Sequence, residues 1–209
     1  MLDRRVSAIV RKTNKGLRLE ELEGQLYEID YSDTAPEGER SARVDVLETI
    51  EKAMGIIYEQ QENPRPYGPR YHGLLITVVS DMYGEGNRLK LAKAIGGRRL
   101  TTEAYVEDAE SLAKLLTDIA TGEAHDGAII IDDKTGKVVG YHAWLLSFPF
   151  DVDGAMMTNN GDGTRKSIAQ QYSEWEWVDA AYTMSEGDGC VRKYVKGEIT
   201  KLRQPYNLN

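Results

Sequence analysis

Asp126-Gly-Ala-Ile-Ile-Ile-Asp-Asp-Lys-Thr-Gly-Lys-Val-Val-Gly-Tyr-His-Ala-Trp-Leu-Leu-Ser147 is the stretch on which the architecture of this chain turns. The run Ala128–Ile131 is short, apolar and β-branched, as a strand is. Asp132-Asp-Lys-Thr-Gly136 is turn chemistry, and Lys137–Ser147 returns as a second strand, so the segment predicts a β-hairpin.

Working outward toward the N-terminus, Leu74-Leu-Ile-Thr-Val-Val79 is a second buried-strand run, set off by the chain breakers Pro64, Pro66, Gly68 and Pro69. Apolar residues at three and four spacings predict helices over about 42–60 (Val46, Leu47, Ile50, Ala53, Met54, Ile57) and from Val106 to Ile119, the second closed by Thr121-Gly122. A shorter helix is predicted over Arg88–Ile95 after the glycine-containing loop Ser80–Asn87, which completes no Walker or dinucleotide pattern. The first forty residues mix short apolar pieces with turn formers and indicate little.

Toward the C-terminus, Phe148–Asp162 reads as a polar loop that leads into a helix from Gly163-Thr164 to about Trp175. Ala180–Met184 and Val191–Val195 read as closing strands joined by Ser185-Glu-Gly-Asp-Gly189. The expected fold class is therefore α/β (α+β), a mixed central sheet flanked by helices. Residues 1–100 are expected to be an N-terminal extension or accessory helix-and-strand segment, and 101–209 a nucleotide-binding domain.

Composition narrows the function classes. Among 209 residues, 26 Lys plus Arg face 34 Asp plus Glu, and a formal charge of −8 argues against broad binding to nucleic acid or anionic lipid. Cys190 is the one cysteine, which allows no intrachain disulfide and no thiolate zinc site. No run approaches the ~20 apolar residues of a spanning helix, so a cytoplasmic protein without membrane insertion is expected. His72, His125 and His142 lack metal-ligand spacing, and neither Ser147 nor Cys190 sits in a nucleophile elbow. Trp144, Trp175 and Trp177 are expected in the core or at a dimer contact.

Three clusters carry chemistry: Asp126-Gly127-Ala128 at a strand mouth, Gly163-Thr164-Arg165-Lys166-Ser167 at a helix start, and Ser185-Glu186 at a strand end. They offer carboxylates for a divalent metal, cationic and hydroxyl donors for phosphate oxygens, and glycines that admit a ligand to the backbone. A helix start adds N–H groups that lack intrahelical partners and favour anions. The plainer readings are a cap at Thr164, solvated charges at Arg165 and Lys166, and turn acids at Asp126 and Glu186.

In this order and context the residues resemble the diadenylate cyclase domain. The likeness runs from Asp126-Gly127-Ala128 through the hairpin to Leu145-Leu146, Gly163-Thr164-Arg165 and Met184-Ser185-Glu186 to a last strand ending near Lys196–Ile199, and covers roughly residues 105–200. It implies condensation of two ATP into cyclic di-AMP with release of pyrophosphate, by two domains face to face, each holding one ATP and Mg²⁺ or Mn²⁺. Carried over, Asp126 would bind metal and help activate the attacking 3′ hydroxyl, and Gly127 and Ala128 would lie against the nucleotide. Thr164 and Arg165 would hold phosphates with Gly163, Lys166 and Ser167 around them. Glu186 would be the second metal carboxylate with Ser185 beside it, and Leu145 and Leu146 would flank the adenine or its strand. The family's helix start reads Gly-Thr-Arg-His-Arg, whereas Lys166 and Ser167 stand here in place of its last two residues. A nucleotide-binding regulatory module of the same fold, catalytically weak or inactive, is the alternative.

Overall fold

A computed structural model describes residues 8–13, 16–21, 26–27, 42, 44–61, 73–80, 82, 102–122, 126–145, 164–186 and 189–203. The chain divides into two compact units, Met1–Arg40 and Ser41–Asn209. In the first, β1 (Ala8–Thr13), β2 (Gly16–Glu21) and β3 (Leu26–Tyr27) form an antiparallel three-stranded sheet in chain order. Sequence reading assigned no element there, because short strands with interrupted apolar runs give little periodic signal.

The second unit is built on six strands: β4 (Leu74–Val79), β5 (Ala128–Asp132), β6 (Val138–Ala143), β7 (Val178–Met184), β8 (Val191–Val195) and β9 (Glu198–Arg203). Their order across the sheet is β6-β5-β4-β7-β8-β9. β4 and β5 run parallel and every other pair is antiparallel, so the expected mixed sheet is found. The strand over Leu74–Val79 has the limits read from the sequence, and all six of its residues are buried. Its central place, between β5 and β7, puts it inside the unit whose boundary sequence reading drew near residue 100. The contacts draw that boundary after Arg40, since the sheet would be cut in two without β4.

Helices cover both faces. On one side lie α1 (Val46–Gln61) and α2 (Ala109–Thr121), packed against each other. Ile50, Met54, Ile57, Leu112 and Leu116 from these helices meet Ile76, Val78, Ile129, Ile131 and Tyr182 of the strands in one apolar cluster. On the other side α3 (Thr164–Ser173) lays Ala169 and Tyr172 on Leu75, Ile130, Ala181 and Tyr194. Trp177 is buried in this second cluster and Trp175 packs on its edge, stacked on Tyr172 with ring centroids 5.2 Å apart.

Capping sets where the helices begin. α1 starts at Val46 rather than near residue 42 because the Asp45 carboxyl accepts the Glu48 N–H at 2.9 Å. α2 starts at Ala109 rather than Val106 because Asp108 accepts the Ser111 N–H at 2.8 Å, while the Val106 N–H is drawn away to the Gly136 carbonyl at 2.7 Å. α3 stops at Ser173, two residues before the expected Trp175. The β8–β9 hairpin turns on Lys196-Gly197, both with positive φ, the two-residue turn whose twist suits such hairpins. Sequence reading ended the last strand near that turn and did not separate β9.

Acidic residues gather at the end of β5 away from Asp126. Burial, then the charges of Asp179, Asp132 and Asp45, raise the Asp133 carboxyl above its ordinary value of 3.8. A folded-state value above the unfolded one means that protonation favours the fold. The favourable contribution is full below the unfolded value and is lost as pH rises through the folded one, which leaves a penalty at neutral pH. Asp133→Asn is therefore expected to raise the melting midpoint at pH ~7 and to leave it almost unchanged at pH ~3, in thermal melts followed by circular dichroism.

Among the described residues no helix is long and apolar enough to cross a membrane. The helix expected over Arg88–Ile95, the loops Ser80–Asn87 and Phe148–Asp162 (Ser80 and Met82 excepted), and His72, His125, Leu146 and Ser147 lie outside the described residues.

Candidate functional site

The two strand mouths that carry acids open at one end of the sheet. β5 begins at Ala128, directly after Asp126-Gly127, and its antiparallel neighbour β7 across β4 ends at Met184, directly before Ser185-Glu186. α3 starts at Thr164, and its second residue, Arg165, reaches both acids.

Arg165 joins them. Its Nη2 lies 3.5 Å from Asp126 Oδ1, and its Nη1 lies 3.5 Å from Glu186 Oε2. The guanidinium side chain is 32% exposed, against 65% for Asp126 and 62% for Glu186, so an inward cation is flanked by two outward acids. Contacts of this length are loose ion pairs, well outside the 2.7–2.9 Å of a tight bidentate fork. A guanidinium carries five N–H donors, and such a loose arrangement leaves capacity for further acceptors.

Gly127 shapes the wall beside Asp126. Its φ of +97° lies in the left-handed region, and a Cβ there would sit 2.8 Å from the carbonyl carbon of His142 and 2.9 Å from the Ala143 backbone. Only glycine lets the β5 entry press this closely on β6. The β5–β6 register shifts between Ala128 and Ile130, and His142 itself has a φ of +54°. The His142 Nδ1–H donates to the Asp126 carbonyl at 2.7 Å, which ties the irregular strand to the acid's backbone.

A cleft of about 520 Å³ opens here, lined by Leu75, Ala128, Ala143, Leu145 and Ile168 on an apolar floor and by Asp126, Arg165 and Lys166 on a charged rim. Concave sites for small molecules have this size and this division of labour. The expected residues Asp126, Gly127, Ala128, Leu145, Arg165 and Lys166 all line it, and Glu186 joins through Arg165. Ser167 is half-buried in the same helical turn and Ser185 accepts the Gly189 N–H in the β7–β8 connection; neither is part of the lining. Gly163 and the side chain of Thr164 lie outside the described residues.

Of the two places expected for Trp144, the core or a dimer contact, the first does not hold: it is 57% exposed and stands at the cleft wall, edge-on to His142 with centroids 6.5 Å apart. Its apolar bulk suggested burial, yet it follows the last paired residue of edge strand β6, where no described helix covers it. Sequence reading passed over Gly73, the residue before β4, whose part depends on the path of the Arg165 side chain.

Among the described residues no group of three or more His, Cys, Asp and Glu stands together as a metal cage. Asp126 and Glu186 supply one carboxylate each on either side of Arg165. Hard divalent ions are usually held by one or two carboxylates with substrate phosphates completing the shell, so these two are the residues that could hold one.

No protein-family model matches the chain. No curated protein matches it in sequence. Among solved structures, it is similar to a double mutant of DacA, a diadenylate cyclase, from Staphylococcus aureus, at 17% identity and a TM-score of 0.48, over 76% of this chain and 87% of that one. It is also similar to a hypothetical membrane spanning protein from Bacillus cereus, at 19% identity and a TM-score of 0.48, over 77% of this chain and 65% of that one.

Proposed function

We propose that the cleft binds ATP and that two copies of the chain, face to face, condense two ATP molecules into cyclic di-AMP. The observation that carries this reading is that one helix-start cation, Arg165, meets acids from two separate strand ends, Asp126 and Glu186, at the rim of an apolar cleft. Asp126, Arg165 and Glu186, three of the residues that carry the resemblance to the diadenylate cyclase domain, meet there.

In the proposed reaction the 3′ hydroxyl of one ATP attacks the α-phosphorus of the other. A P–O bond forms, the bridge to the β-phosphorus breaks, and pyrophosphate leaves with the bond's electron pair. Repetition in the opposite sense closes the ring. Asp126 accepts the hydroxyl proton, and Arg165 and Lys166 hold the phosphate oxygens as negative charge shifts toward the leaving group. The first turn of α3 adds backbone N–H groups on the same side. Leu75, Ala128, Leu145 and Ile168 exclude water around the base. Asp126 and Glu186 would hold Mg²⁺ or Mn²⁺, which when bound neutralises charge on the triphosphate.

A second reading, a nucleotide-binding regulatory module, is favoured by Lys166 and Ser167. An amine is a point charge where a family imidazole stands, and a hydroxyl cannot replace a bidentate guanidinium. Incubation of the purified chain with ATP and either metal, with mass spectrometry of the products, separates the two. Cyclic di-AMP with pyrophosphate is the expected result. Binding of ATP without turnover supports the regulatory reading, and absence of both overturns the proposal.

A further inference from the structure

We infer that Gly73 is a positioning residue for Arg165, a role that rests on the reading of Arg165 as the phosphate-holding cation. Gly73 is buried and directly precedes β4, the strand between the two acid-bearing neighbours. β4 pairs in parallel with β5, with Ile76 opposite Ile129, so Gly73 lies at the sheet end where Asp126 precedes β5. β4 pairs with β7 as Leu74↔Met184, and one step further Gly73 comes level with Ser185, next to Glu186. Gly73 therefore lies at the sheet end that carries the two acids Arg165 bridges, on the strand between theirs.

The missing side chain is what leaves room. A Cβ on Gly73 would lie 1.9 Å from Arg165 Nη1, 2.8 Å from Cζ and 3.5 Å from Nε, so the guanidinium lies across the space that any other residue would fill. Strand alternation agrees, because Gly73 has the parity of Leu75, whose side chain lines the cleft. Conformational freedom is not the reason for glycine here, since Gly73 is not among the glycines of positive φ. An alanine fits the backbone and collides only with the far end of a flexible side chain. The guanidinium would have to retreat by an ångström or more, because ordinary contact begins near 3.4 Å. Gly73→Ala thus moves the cation off its two acids while the sheet stays as it is.

Calorimetric binding of ATP with Mn²⁺ to the full chain tests this in four proteins: wild type, Gly73→Ala, Arg165→Ala and the double variant. Gly73→Ala is expected to weaken binding about tenfold or more, the scale of one displaced charge-assisted contact. In the Arg165→Ala background the same change is expected to have no further effect, because nothing is left to displace. A second measurement needs no nucleotide. The Arg165 Nε–H resonance, assigned by its loss in Arg165→Ala, is expected to shift in ligand-free Gly73→Ala. An unmoved resonance, or an equal loss of affinity with and without Arg165, overturns the inference. Absence of ATP binding by the wild type overturns the phosphate reading instead, and the resonance alone then decides the role of Gly73.

Discussion

Arg165→Ala is expected to lower the rate of cyclic di-AMP formation by at least about a hundredfold, with little change in the melting midpoint. On the proposed reading, the functional loss follows from the role of Arg165 as a donor to phosphate oxygens on which charge develops. Removal of one such preorganised donor typically costs about 10²–10³ in rate. The small structural effect follows from its partners. Both acids are mostly exposed and both contacts are 3.5 Å long, so the ion pairs are of the surface kind, worth about 0–1 kcal/mol. Steady-state assays beside thermal melts check the two halves together. A variant that keeps its rate removes Arg165 from the chemistry, and one that unfolds makes it a structural residue.

Asp132→Ala is expected to be the most damaging change to stability, and it lies away from the cleft. Asp132 is fully buried at the end of β5, where its carboxyl oxygens accept the Met82 N–H, the Thr135 N–H at 2.7 Å and the Thr135 hydroxyl at 2.7 Å. Truncation leaves three donors without their acceptor in a dry place, a cost of about 3–5 kcal/mol. Native domains have only about 5–15 kcal/mol in all, so the midpoint is expected to fall by on the order of 10 °C. Urea unfolding is the check; a loss below about 1 kcal/mol would mean that water reaches those donors. Asp132→Asn keeps one acceptor oxygen and is expected to fall between.

The sheet was legible where the chain is buried on both faces. Leu74–Val79 and Ala128–Ile131 are unbroken apolar runs, and burial on two sides leaves no room for another pattern. β9 was not separated because it is an edge strand with exposed residues along most of its length, so nothing apolar alternates along it. The helix over Ala109–Thr121 was read too long because Val106 shares its apolar spacing, although that residue packs into the core from a segment paired with 136–138. Spacing alone cannot tell a helix face from an extended residue that points the same way.

The candidate site divides in the same manner. Asp126, Arg165 and Glu186 were named from residue type and local context, and the topology brings all three to one end of the sheet. Gly73 left no trace in the sequence, because its contribution is the absence of atoms, visible only once Arg165 is seen to cross it. Its place directly before a buried strand was the one available hint. Of the two places expected for Trp144 only the core fails, since bulk signals burial except where a sheet ends.

The most direct measurement is a crystal structure of the chain with a non-hydrolysable ATP analogue and Mn²⁺. The expected result is a triphosphate lying between Asp126 and the first turn of α3, with its oxygens within hydrogen-bond distance of Arg165 and the base over Leu75 and Leu145. An analogue bound elsewhere on the molecule, or a cleft left empty at saturating nucleotide, would contradict the account.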